Sequence, residues 1–127
     1  MEKIDDVVIK LNKNYNGVEI KVDGEHFVVD ANPSYTMGWN DAVRFYNHPH
    51  RSHTWKLPTV IQLQVLAKHI NKVNEVIREN NGYEINGWYW SCEEYDEFRT
   101  WGVFMYDESV GYTNNSNYGY VRAVSVL

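Results

Sequence analysis

The sequence predicts an α+β single domain, and three observations carry that prediction. The apolar period runs near two at both ends of the chain and near 3.6 in the middle. The helical segments therefore stand apart from the strands instead of alternating with them, which is the mark of helices segregated from antiparallel sheets. The third observation is size and composition. The chain has 127 residues, 15% of them aromatic, with ten Tyr and five Trp. That is long enough for one core and too aromatic for a disordered chain.

The N-terminal elements come first. "KIDDVVIKL" over 3–11 and "GVEIKV" over 17–22 alternate as strands, with "NKNYN" as turn material between them. "VDGEHFVV" then sets Asp23-Gly24 between two apolar runs, a hairpin signal. The first thirty residues read as a β-meander, in which 1–24 is the N-terminal hairpin region. In "NPSYTMGWNDAVRFYN" the period changes: Trp39, Ala42, Val43 and Tyr46 fall on one helical face. Ser34 and Thr36 are both candidate caps for it.

"HPHRSHTW" reads as a loop. The second helical region is "KLPTVIQLQVLAKHINKVNEVIREN", where Thr59 and Gln62 have the spacing of a capping box. Leu63, Leu66, Ala67, Ile70 and Ile77 keep one apolar stripe, with a break indicated near His69. Gly82 is the expected C-terminal cap residue. Three strands complete the chain: "WYWSC", "RTWGVFMYD" and a single strand across "YGYVRAVSVL". The N- and C-terminal strands are expected to pair with each other.

Charge and cysteine narrow the function. The formal charge is −5, from 12 basic and 17 acidic residues. From Asn86 onward, Glu93, Glu94, Asp96, Glu97, Asp107 and Glu108 face only Arg99 and Arg122. A phosphate backbone needs clustered Lys and Arg, so nucleic acid is not an expected partner. Cys92 stands alone, which excludes an internal disulfide and a cysteine-cluster zinc site. "MEKIDDVVIKLNK" has no apolar h-region, and no apolar run reaches the length of a membrane span. These features leave the setting open between a chain that acts in the cytoplasm where it is made, one that reaches a phage particle or cell surface by a non-classical route, and one that has been trimmed. Membrane insertion is not expected.

Several stretches, taken in order, resemble one family. They are "WNDAVRFYN", "WKLPTVIQLQVL" and "GWYWSCEEYDEFRTWGVFMYDESVGYTNNSNYGYVRAV". The order matches a first helix, a W-R-L-P-T helix start, a G-x-Y-W-S-S segment, an acidic or serine loop, a W-x-V strand, an asparagine-rich stretch and V-R. This is similar to the C-terminal domain family of bacterial collagen-like adhesins, over about residues 25 to 125. Lys56 and Cys92 stand where the family has arginine and serine. The resemblance implies a C-type-lectin-like fold, with antiparallel sheets and two helical regions, and a domain that binds instead of catalysing.

The candidate sites differ in their chemistry. "WND" at 39–41 opens a helix, where a carboxylate is favoured anyway, so no lectin-type calcium site is expected. His48, His50 and His53 have the density of a transition-metal site but no carboxylate beside them to orient the rings. A solvated loop is expected, with no metal and no cofactor. Cys92 has Glu93 and Glu94 beside it, which oppose a thiolate, so it is expected to be a packed thiol. The acidic run 93–97 offers no defined carboxylate pair. No catalytic constellation emerges. Trp90 and Trp101 are assigned to the core, and Trp88 is left open.

"GYTNNSNYGY" remains, over 111–120. Asn and Gly supply turns and Tyr supplies strand propensity. The same residues build adaptable binding surfaces. They also resemble the exposed C-terminal face of the lectin-like variable proteins of diversity-generating retroelements. The expected ligand-binding residues are Tyr95, Asp96, Tyr112, Asn114, Asn117 and Tyr118, and the expected ligand is a protein or a glycan. The function expected is a non-catalytic binding or adhesion module of bacterial or phage origin. The alternative is a structural or assembly component that self-associates.

Overall fold

The computed structural model describes residues 7–22, 24–46 and 55–127. The meander consists of β1 (Val8–Asn12), β2 (Gly17–Val22) and β3 (Glu25–Asp30). Asn16 closes the first turn at φ 52°, a left-handed conformation that asparagine tolerates. Val22 pairs with Glu25, so a two-residue loop joins β2 to β3. Gly24 takes φ 82° there, as such hairpin turns require. Asp23 lies outside the described residues, as do His48, His50 and His53.

The remaining elements are β4 (Tyr35–Met37), α1 (Trp39–Tyr46), α2 (Val60–Lys68), α3 (Ile70–Glu79), β5 (Trp88–Glu94), β6 (Arg99–Phe104), β7 (Val110–Asn114), β8 (Gly119–Val121) and β9 (Val124–Val126). They make two sheets, ordered β1-β2-β3-β9 and β4-β8-β5-β6-β7. The first is antiparallel throughout. The second is mixed, because β8 runs parallel to β5. After β7 the chain crosses the sheet and enters between β4 and β5, which fixes that direction. Among the described residues no helix is long and apolar enough to cross a membrane.

The predicted pairing of the terminal strands needs correction. β9 joins the meander through β3, so β1 and β9 form opposite edges of one sheet. The single strand expected across "YGYVRAVSVL" is also two strands, one in each sheet. The break falls at Arg122 and Ala123, where the chain passes between sheets. Arg122 is 2% exposed at this crossing. Its Nη1 donates to the carbonyls of Asp30 and Tyr83 at 2.8 Å, its Nη2 to that of Glu84 at 3.1 Å, and its Nε to Ser34 Oγ at 3.0 Å. Ser34 Oγ also bonds the Tyr89 hydroxyl at 2.7 Å. A planar five-donor fork suits this task, since several carbonyls converge where both ladders stop.

Helix ends follow local chemistry. Thr59 Oγ1 accepts the Gln62 amide at 3.1 Å, and Gln62 Oε1 accepts the Thr59 amide at 2.9 Å. This is the predicted capping box. The break at His69 separates α2 from α3. The left-handed residue after α3 is Asn81, at φ 59°, not Gly82. The Asn81 and Gly82 amides bond the carbonyls of Arg78 and Ile77 at 3.1 and 2.9 Å, closing a Schellman motif. Neither Ser34 nor Thr36 caps α1. Thr36 sits in β4, Ser34 serves Arg122, and the Trp39 amide bonds the Asn115 carbonyl at 3.0 Å.

Two cores result. The larger joins Ile20, Phe27 and Val29 of the meander to Leu63, Leu66, Val73 and Ile77 of α2 and α3, and to Tyr89, Val103 and Met105. The smaller joins Trp39, Ala42, Leu57, Trp90 and Val121, with Val43 and Tyr46 packed against it. The predicted face of α1 is therefore the packed one. Trp90 is fully buried, and its Nε1 donates to the Met37 carbonyl at 3.0 Å. Trp88 is half-buried and lies over the glycine floor of the second sheet. A Cβ at Gly102 would strike its ring, and one at Gly119 would meet it at 2.8 Å.

Candidate functional site

The β5–β6 turn is built by one carboxylate. Asp96 Oδ1 accepts the amides of Phe98 and Arg99, each at 2.9 Å, and Oδ2 accepts Arg99 Nε at 2.9 Å. The Tyr95 amide bonds the Arg99 carbonyl at 2.9 Å. Arg99, with the Phe98 amide behind it, holds the Asp96 carboxyl below its usual range, and the carboxylate in turn raises Arg99. The turn is thereby fixed, and Tyr95 is carried towards the neighbouring hairpin.

There it meets Tyr112 on β7. The two rings stack with centroids 3.8 Å apart and planes within 3°. Trp101 meets both edge-on, at 5.2 Å from Tyr95 and 5.1 Å from Tyr112. This follows from register, because Trp101 and Tyr112 are opposite each other in the β6–β7 ladder. The Arg99 guanidinium carbon lies 4.9 and 5.2 Å from the two centroids. A cation above one face of so close a stack would be much nearer one ring than the other. Arg99 therefore flanks the stack. The Tyr112 hydroxyl beside it, through hydrogen bonding and charge, pushes the Tyr95 phenol above its usual range. Each tyrosine covers a face of the other and still remains over 40% exposed. Phe98, on the same turn, is exposed too.

The structure thus gathers Tyr95, Asp96 and Tyr112 into one cluster. Asn114 stands opposite Arg99 in the ladder. Its Oδ1 accepts the Ser116 amide at 2.9 Å and hydroxyl at 2.7 Å, which shapes the next turn. Asn117 is exposed and donates to Thr113 Oγ1 at 2.6 Å. Tyr118 is exposed beyond that turn and stays outside the stack. Asn115 is the buried member of the run. Its Oδ1 accepts the Thr100 hydroxyl at 2.7 Å, and its amide bonds the Phe98 carbonyl at 2.8 Å.

Two sequence assignments change. Trp101 was expected in the core but is only half-buried and forms one wall of the ring cluster. Core packing on its face ends at Val103, so the next residue on that face reaches the open end of the sheet. Cys92 was expected to be packed but is exposed. A register shift in β5 between Trp90 and Glu94 breaks the alternation there. Partial burial, and then Glu93, still push its thiol up, which opposes formation of a thiolate. The sequence also passed over Arg99. Its position three residues after Asp96, in a turn, was the available signal.

The remaining candidates take structural places. Glu93 Oε2 accepts the Val60 amide at 3.1 Å at the start of α2. Asp41 pairs with Arg44 within α1. A groove of about 650 Å³ lies elsewhere, between α3 and Met105–Tyr106, with Glu75, Arg78 and Glu84 along it. Against known proteins, the chain matches no family model and no curated protein.

Proposed function

We propose that this domain is a non-catalytic binding module with a C-type-lectin-like fold, which takes a protein or glycan ligand on the Tyr95–Tyr112 face. The supporting observation is the exposed stack itself, held edge-on by Trp101 and pinned at its base by the Asp96–Arg99 pair. Rigid aromatic rings offer contact area at little entropic cost. Arg99, paired with Asp96, flanks and rigidifies the stack, and Asn117 and Tyr118 extend the face with adaptable polar groups. The lectin-like assignment draws on the order of the sequence motifs and on β9 returning to the N-terminal sheet. A bacterial or phage setting, with the face varied as in retroelement proteins, completes the reading.

The test compares the natural protein with the Tyr95→Ala/Tyr112→Ala double variant on a glycan array and a displayed-peptide panel. Loss of the bound ligands at an unchanged fold supports the reading. Ligands retained in full by the variant place the binding function elsewhere and refute it.

A further inference from the structure

The two sheets have four edges, and three carry ordinary protection against pairing. β4 and β9 are three residues long, and Val124 of β9 is already bridged to Lys56. β1 has the exposed Lys10 at its centre. Short length, cover and a central lysine are the usual devices. β7, "VGYTN", has none of them: no charge, no proline, and five residues in regular register.

The ladder shows which groups β7 leaves open. At one end the Phe104 amide bonds the Ser109 carbonyl at 2.9 Å, and at the other the Asn115 amide bonds the Phe98 carbonyl at 2.8 Å. Hydrogen-bonded pairs alternate between these limits. Gly111 and Thr113 therefore point their backbone groups at β6, while Val110, Tyr112 and Asn114 point theirs outward. Among the described residues, the N–H and C=O of Val110 and Tyr112 and the N–H of Asn114 have no partner.

Both ends of this open edge are acidic. Asp107 and Glu108 precede β7, and Glu97 sits one step beyond the Phe98–Asn115 bond. Arg99 is neutralised by Asp96. A second copy is a poor occupant, because antiparallel self-pairing brings Glu108 of one chain towards Glu97 of the other, and each chain carries −5. We infer that β7 is the docking edge for an extended segment of another polypeptide, with basic residues at both its ends and a side chain packed on Tyr112. The inference rests on the reading of the domain as a binding module and specifies the class of ligand. Strand addition gives affinity through main-chain bonds and specificity through alternate side chains.

The probe is a synthetic nine-residue peptide of alternating valine and threonine with a lysine at each end. At ~3.3 Å per residue it spans both acidic ends. Titrated into isotope-labelled protein, it should shift the amide resonances of Val110, Tyr112 and Asn114 most. A peptide with glutamate ends should bind about tenfold more weakly, the size of two modest ion pairs. N-methylation of alternate peptide amides should abolish binding in one phase and spare it in the other. Val110→Pro removes one outward donor without breaking the β6 ladder and should weaken binding, with a melting curve confirming the fold. Equal binding by both methylation phases overturns strand addition. So does no binding by the lysine peptide, even where Tyr95→Ala still abolishes capture of an array glycan; the binding-module reading then stands alone. A dimer that Val110→Lys returns to monomer also overturns it, by making the second copy the occupant.

Discussion

Arg122 Nη1 reaches the Asp30 carbonyl at 2.8 Å across the seam between the two sheets. The same guanidinium holds the carbonyls of Tyr83 and Glu84. Truncation to methionine leaves three part-buried carbonyls short of a donor, where a fully buried one would cost about 1–3 kcal/mol and a partly solvated one less. Arg122→Met should therefore lose about 2–3 kcal/mol in urea denaturation. Arg122→Lys should recover only part, because a point ammonium cannot span the carbonyls that a fork spans. A loss below about 1 kcal/mol for the methionine variant would show that the seam is held by other contacts.

The Tyr95–Tyr112 stack should be measurable as a coupling. Tyr118→Ala touches a freely exposed ring and should change stability by no more than about 0.5 kcal/mol. Tyr95→Ala and Tyr112→Ala should each cost more, and a double-mutant cycle should give about 0.5–1.5 kcal/mol between them, as for aromatic pairs generally. Additive effects would mean that the rings do not stack in solution.

Thr59→Ala removes the acceptor for the Gln62 amide and should cost about 1 kcal/mol. Thr59→Ser keeps the hydroxyl and should stay within a few tenths of the natural protein. Chemical denaturation of the three proteins side by side decides it.

The Asp96–Arg99 pair sets a pH dependence with a definite sign. The carboxyl lies below its usual range in the folded protein, so the unfolded chain takes up the proton first as pH falls. The stabilisation is present above the ordinary aspartate value of about 3.9 and fades as pH drops through the folded value. The pair is exposed, so the effect is local. The Arg99 Nε–H resonance should move in that acid window, and Asp96→Asn should abolish the movement. An Arg99 resonance that is flat with pH in the natural protein would count against the pairing.

Much of this architecture was legible in local sequence. Thr59 and Gln62 announce a cap because both bonds close within one turn. The stripe of Trp39, Ala42, Val43 and Tyr46 is a helical face whatever it packs on. Asp23-Gly24 marks a hairpin because Gly24 supplies the positive φ. The errors sit where long-range geometry decides. Nothing local says that "YVRAV" must leave one sheet for another, because the alternation continues through Arg122. Trp101 reads like Val103, being on the same face of β6, and only the extent of the core separates them. Cys92 leaves the alternation through a register shift in β5 that its own neighbours do not advertise. At the site, the tyrosines and asparagines stood out by composition. Arg99 did not, since its role depends on Tyr112 arriving from another hairpin.

Asn115 has a consequence for how this surface can change. Within 114–117, its amide, carbonyl and side chain tie the turn to Phe98, Trp39 and Thr100. The anchoring is thus concentrated at one inward position, with Tyr112, Asn117 and Tyr118 on the outside. Such a segment separates inheritance of shape from inheritance of specificity. A library that keeps Asn115 and Gly119 while randomising Tyr112, Asn117 and Tyr118 should yield mostly folded members, whereas one that randomises Asn115 alone should lose many. The turn is a mount on which new chemistry can be tried without rebuilding the frame.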